Sequence, residues 1–305
     1  MASKSTTKKK TSKKKKPAKK KADRDERPNI PTLMSSFRRS RKIIAAHKKP
    51  FAYATAVYAA LYFLFVRILA SVEINDLVES VRIAFAEGQD NVWSNFVSAA
   101  TLYGEATAFD EQSGLLYVLT TVIFSLAFIW MLRLVWAEKR PHAKEAFYQG
   151  MYPLVPFLLV GFFVVIQLLP FTLTSFVFQT AFANGLAISF VEKLFFVSIL
   201  AFGIVLSAYL LLGSAVALYA VTVPGVKPLE ARRTAKRMLK GRRIAVLKQA
   251  IVWVLITAVL GIAPLMAVIW VVPQIATVVA ALLIVLLMPW THLYFYGLYR
   301  DLLDG

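Results

Sequence analysis

The chain has 305 residues, 58% of them hydrophobic and only 17% charged, with a formal net charge of +19 and no cysteine. So little polar surface cannot cover the core of a soluble domain of this length. The missing cysteines exclude disulfides, thiolate metal sites and cysteine nucleophiles, and leave the redox compartment unreadable.

The apolar residues come in runs long enough to cross a hydrocarbon layer of ~30 Å as helices. They are apolar on every face, where barrel strands would alternate. An all-α integral membrane protein is predicted, with about six transmembrane helices arranged as three hairpins.

Residues 1–30 are Lys, Ser, Thr and Ala with almost nothing apolar, which predicts a disordered basic tail. The first apolar run, 51–72, lacks a small-residue cleavage pattern, so it is expected to remain as a span and not to act as a signal peptide. The other spans are expected at about 114–136, 152–179, 194–222, 249–270 and 274–297. Pro170 is expected to break the third span or to turn part of 171–190 into a re-entrant piece, and Pro273 to mark a tight turn between the last two spans. Between the first and second spans, 73–112 carries apolar residues at helical spacing, including Ile74, Leu77, Val78, Val81 and Phe85 and then Trp93, Phe96 and Val97. It is read as an outer amphipathic segment, lying on the membrane or capping the bundle.

The charges orient these spans. Nineteen Lys and Arg up to residue 49 oppose three acids, whereas 73–112 carries eight acids and Arg82 alone. Bases return at 133–144 (Arg133, Lys139, Arg140, Lys144), are sparse at 180–193, and number nine between Lys227 and Lys248. Bases near span ends stay on the cytoplasmic side, so a plasma-membrane protein with both termini in the cytoplasm is expected.

The last basic segment reads as a short interfacial helix. Pro228 suits a first turn, Glu230 favours a helix N-terminus, and bases accumulate toward Gly241, a candidate stop. Ala231, Ala235, Met238 and Leu239 share one face, expected to rest in the acyl boundary. "RRSRKIIAAHKKPF" (38–51) aligns without gaps on "RRTAKRMLKGRRIA" (232–245), and "KEAFYQGMYPLVPF" (144–157) follows the same logic. Each precedes two spans, as a degenerate threefold repeat would.

The segment 221–255, "VTVPGVKPLEARRTAKRMLKGRRIAVLKQAIVWVL", resembles a pattern in bacterial multi-pass membrane proteins that are similar to the membrane domain of glycerophosphoryl diester phosphodiesterases. "AFYQGMYPLVPFLLV" is a weaker echo of it. In that family hydrolysis belongs to a separate soluble domain, and nothing in this chain is long or polar enough to be one. The resemblance implies a membrane domain without its enzyme.

No residue pattern points to catalysis. The acids lie mostly in 73–112 at amphipathic spacing, and there is no Gly-rich phosphate loop, HExxH or nucleophile elbow. His47, His142 and His292 have no Cys or carboxylate companions, so no metal and no cofactor is expected, and His292 is read as an interfacial hydrogen-bonding residue. Arg67 and Arg133 lie near span ends and can snorkel. Gln167, Thr172, Thr174 and Gln179 are assigned to the outer half of the third span, and the small-residue pairs Gly203/Ser207 and Gly213/Ala217 suit close packing on the fourth.

The expected function is a non-catalytic one, organising lipid or protein partners. The candidate binding residues for anionic lipid headgroups are Arg38, Arg39, Lys48, Lys49, Arg232, Arg233, Lys236, Arg242 and Arg243. Lipid is preferred over nucleic acid because the tail is tethered to a membrane and has no interleaved aromatic residues. The alternative is a transporter or channel for a small molecule or lipid. A central cavity reaching Gln167 would favour the alternative, and a dry bundle core the first reading.

Overall fold

The computed structural model describes residues 33–64, 111–186, 188–272 and 275–303. Among the described residues every regular element is a helix. In chain order these are α1 (Leu33–Ala46), α2 (Lys48–Tyr62), α3 (Glu111–Trp136), α4 (Ala143–Gln149), α5 (Leu154–Ala183), α6 (Phe190–Ala220), α7 (Pro228–Met238), α8 (Arg243–Val271) and α9 (Ala276–Leu303). Five of them, α3, α5, α6, α8 and α9, contain a stretch long and apolar enough to cross a membrane. The described residues are all-helical, and these five helices make the chain a membrane protein. The run expected as the first span is described only as far as residue 64, in and just beyond α2, and the basic tail, Arg67 and 73–110 lie outside the described residues.

The second span falls where the sequence places it, at Gly114–Trp136. The third and fourth differ. Pro170 neither ends α5 nor produces a re-entrant piece, and the helix continues to Ala183. The reason lies in how the proline's neighbours are satisfied. Pro170 has no N–H of its own. The next N–H, of Phe171, donates to Ser207 Oγ on α6 at 3.0 Å, and Thr174 Oγ1 donates to the Pro170 carbonyl at 2.8 Å. Hydroxyls and neighbouring helices that satisfy freed backbone groups are what make proline tolerable inside a membrane helix. After α5 the chain turns at Asn184–Gly185 and re-enters at Ser189, whose hydroxyl accepts from the Glu192 N–H while Glu192 Oε2 accepts from the Ser189 N–H. This reciprocal cap starts α6 at Phe190, earlier than the apolar pattern indicates. Pro264 and Pro289 likewise lie inside α8 and α9, and Pro273 itself is outside the described residues.

Helices α5 and α6 form the most extensive packing in the described structure. They meet where α6 has no side chain. A Cβ on Gly203 would lie 1.9 Å from Thr174 Oγ1 and 2.9 Å from the Pro170 carbonyl oxygen, so only glycine fits. Of the two small-residue pairs, Gly203/Ser207 therefore makes the close contact.

The enclosed centre is α3. Its Phe124–Leu132 stretch is buried throughout, and 56% of its most apolar window is enclosed against 11% for α5 and α6. Phe128 packs on Phe51, and Phe124 stacks on Tyr58 with ring centres 4.3 Å apart, which holds α2 against α3. On α5 and α6 large side chains such as Phe162, Leu173, Phe202 and Val205 point outward, an arrangement stable in lipid and not in water.

Three short helices, α1, α4 and α7, each precede a longer one. Helix α4 packs on α3, α7 packs on α6, and α1 packs on α9, so the docking pattern runs around the bundle and closes on itself. For α7 this overturns the expected acyl-boundary position. Ala231, Ala235 and Leu239 are 0% exposed, enclosed by protein, and Met238 packs against the same core. The small alanines let α7 approach α6 closely, so its apolar face is met by packed protein. Its stop is as expected: Gly241 has φ +83°, a conformation only glycine adopts freely.

Candidate functional site: a basic cavity where α5 to α8 meet

The docking of α7 fixes where its bases point. With Ala231, Ala235 and Leu239 inward, Arg233, Lys236 and Arg237 are exposed and Arg232 is half-buried at the edge. Two adjoining cavities lie beneath them. One, of about 390 Å³, is lined by Gln167, Tyr209, Leu210, Gly213, Ser214 and Leu229 below and by Arg232, Arg233, Lys236 and Arg243 above. The other, of about 800 Å³, shares Tyr209, Arg233, Lys236 and Arg243 with it and adds Arg237, Lys240 and Gly241. Six bases thus converge, and among the described residues no acid lines either cavity.

Two of these bases are held by aromatic rings. The Arg232 guanidinium lies 4.2 Å from the centre of the Phe163 ring. Arg243 lies 4.8 Å from the centre of the Tyr209 ring and donates from Nη1 to the Tyr209 hydroxyl. Stacking on a ring orients a guanidinium while leaving its remaining N–H groups available, and the planar fork suits an oxyanion such as phosphate. The arrangement can bind an anion.

The sequence-predicted candidates divide between two places. Arg232, Arg233, Lys236 and Arg243 line the cavities just described, and Arg242 is a half-buried residue at the start of α8 that lines neither. Arg38 and Arg39 instead line a separate cavity of about 530 Å³ along α1, with Lys42, Ile43, His47 and Val135, which shares no residue with the first two. Arg39 there is ion-paired with Asp301 of α9, whose side chain is 8% exposed. Lys48 and Lys49 are exposed at the start of α2. The sequence reading missed Tyr209, Ser214 and the contribution of Arg237 and Lys240. It also assigned Gln167 to the outer half of its span, whereas Gln167 opens onto the cavity under the α7 bases. Thr172 and Thr174 donate to carbonyls of their own helix, and Gln179 donates to Ser175 one turn back at 3.2 Å, so these three serve α5 locally.

Two further polar contacts join the helices near this end. Arg133 donates from Nη1 to the Thr222 carbonyl at 2.7 Å, supplying a donor to a backbone oxygen just past the end of α6. It is half-buried there, in the last turn of α3. His292 of α9 reaches both α3 and α6: Nε2 lies 2.9 Å from Ser125 Oγ and Nδ1 lies 3.2 Å from the Tyr219 hydroxyl. Serine beside histidine raises the question of a nucleophile. The Ser125 hydroxyl, however, donates to the Thr121 carbonyl at 2.6 Å. Its Oγ is then an acceptor, Nε2 carries the proton, and Nδ1 accepts from Tyr219. A one-way chain from Tyr219 through His292 and Ser125 to Thr121 leaves no base facing the serine. Ser125 and Tyr219 are also buried, at 4% and 7% exposure. The chain ties three helices together through a half-buried His292, a hydrogen-bonding residue as expected.

No family model, curated protein or solved structure matches this chain.

Proposed function

We propose that the chain is a six-span plasma-membrane protein with both termini in the cytoplasm, which holds anionic lipid headgroups on its basic face and organises lipid or protein partners without catalysing a reaction. In this reading residues 51–72 form the first span, and each short helix introduces one pair of long ones. The observation that carries it is the convergence of Arg232, Arg233, Lys236, Arg237, Lys240 and Arg243 on one pair of cavities that no acid lines among the described residues. Orientation alone requires only a few bases at a span end. Each further base near an anionic surface contributes about 1 kcal/mol, screened at moderate salt.

The test is lipid retention on the purified chain. A variant with Arg232, Arg233, Arg242 and Arg243 replaced by Gln keeps Lys227, Lys236, Lys240 and Lys248, so its topology should persist. It should retain clearly less anionic lipid than the parent at low salt. Equal retention by the two proteins at both low and high salt would return the bases to topology signals.

The rival reading is a transporter or channel, and the cavity reaching Gln167 speaks for it. That cavity is lateral, between α5, α6 and α7, whereas the junction of α3, α6 and α9 is occupied by His292 and its partners. A flux of small solutes through liposomes carrying the chain, abolished by Gln167→Leu, would favour the rival.

A further inference from the structure

The smaller cavity is polar at its floor as well as at its rim. Gln167 Oε1 and Ser214 Oγ are buried and have no hydrogen-bond partner among the described residues, and Ser214 is only 1% exposed. Both residues line the cavity whose upper wall carries Arg232, Arg233, Lys236 and Arg243. A buried polar atom left unpaired costs roughly 1–3 kcal/mol, so two on one cavity wall ask for an occupant that supplies their hydrogen bonds.

The two ends of the cavity ask for different things. The rim is made of donors and positive charge, which a phosphate satisfies. The Gln167 oxygen can only accept, and a deprotonated phosphate has no proton to give it. A hydroxyl group can donate to Gln167 and exchange a hydrogen bond with Ser214. Between these polar ends Leu210 and Gly213 leave an apolar wall, and outside the cavity α6 presents exposed Phe202 and Val205, against which an acyl chain can lie. We propose that this cavity binds one phosphate ester bearing a free hydroxyl, its phosphate held by Arg233, Lys236 and Arg243 and its hydroxyl by Gln167 and Ser214. The inference rests on the anionic-lipid reading above and narrows it from a charged face to one built site with a headgroup preference.

The test uses the full chain in detergent micelles and two lipids of equal charge and matched acyl chains. Phosphatidylglycerol carries headgroup hydroxyls; phosphatidylmethanol carries none. Native mass spectrometry should show the first bound about five-fold more tightly, the size of one to two net hydrogen bonds. Gln167→Leu and Ser214→Ala, each close in volume to the residue replaced, should each lower binding of the first lipid towards that of the second and leave the second unchanged. Soluble glycerol 3-phosphate distinguishes the source of the ester. Displacement of the lipid at comparable concentration assigns the contacts to a soluble ester, and failure to displace assigns them to the lipid. Equal binding of the two lipids by the parent overturns the inference, as does a preference that survives both floor variants. An Arg233→Gln/Lys236→Gln variant separates the two levels. If it weakens both lipids while the preference is absent, only the headgroup inference fails. If it weakens neither, the anionic-lipid reading fails with it.

Discussion

The Ser207 hydroxyl on α6 accepts the backbone N–H of Phe171 on α5 at 3.0 Å, one residue beyond a proline in the middle of a membrane helix. The contact exists because Gly203, one turn away on the same face of α6, allows the two backbones to approach. Ser207→Ala should leave the Phe171 N–H without this acceptor and destabilise the bundle by about 1–3 kcal/mol. Gly203→Val should cost as much or more, since its side chain meets the Pro170 backbone. Gly161→Ala, where a Cβ meets nothing within 4 Å, is the control and should be near neutral. Thermal unfolding in detergent checks all three, and equal melting temperatures for Gly203→Val and Gly161→Ala would discount the close approach.

Topology is testable independently of function. Reporter fusions at Gln89 and at Gly241 should report opposite compartments, with Gly241 on the cytoplasmic side. The expectation rests on eight acids against one base in 73–112 and nine bases against one acid in 227–248. Reports from one compartment would remove the six-span arrangement.

The Arg39–Asp301 pair is expected to hold α1 against α9. Asp301 is almost enclosed while Arg39 is 44% exposed, so solvent screens part of the attraction and its loss should cost about 1 kcal/mol. Asp301→Asn should therefore speed tryptic cleavage at Arg38 and Lys42, and added salt should mimic the substitution in the parent. The charge-swapped pair Arg39→Asp/Asp301→Arg should recover part of the protection. Cleavage rates that are the same in all three proteins would show that α1 docks through Ile43 and its apolar neighbours alone.

Replacing His292 by Phe should leave the Tyr219 hydroxyl without its acceptor and Ser125 with its Thr121 bond alone, and lower the melting temperature by several degrees, because buried polar groups lose partners. Ser125→Ala should have a smaller effect, as it removes one link while His292 keeps Tyr219. A fluorophosphonate probe for activated serines should leave Ser125 unlabelled. Labelling that disappears in Ser125→Ala would mean the proton sits on Nδ1 and would reopen a catalytic reading.

Much of the architecture was legible because hydrophobic runs and charge counts depend on composition alone. Span 114–136 is one case, and the stop at Gly241 is another, since a left-handed residue after a basic helix end has a local signature. What failed depended on partners distant in sequence. Pro170 reads as a breaker until Ser207 is seen to accept from its neighbour. Ala235 and Leu239 read as a lipid-facing stripe because an amphipathic pattern does not say whether the apolar face meets acyl chains or another helix. The basic residues of the site were found by charge, but Tyr209, Ser214 and the inward position of Gln167 required knowing which turns of α5 and α6 lie beneath α7. No spacing in the chain encodes that.

The closure of α1 onto α9 also sets an order of events during synthesis. Arg39 and Asp301 are 262 residues apart, so the first described helix to leave the ribosome meets its docking face only after the last one has been made. Helix α4 follows α3 directly, and α7 follows α6, so each finds its partner already present. Until α9 is made, Arg39 lacks Asp301 and α1 lacks the face it docks on, and a chain truncated before Asp301 would leave the ion pair unformed.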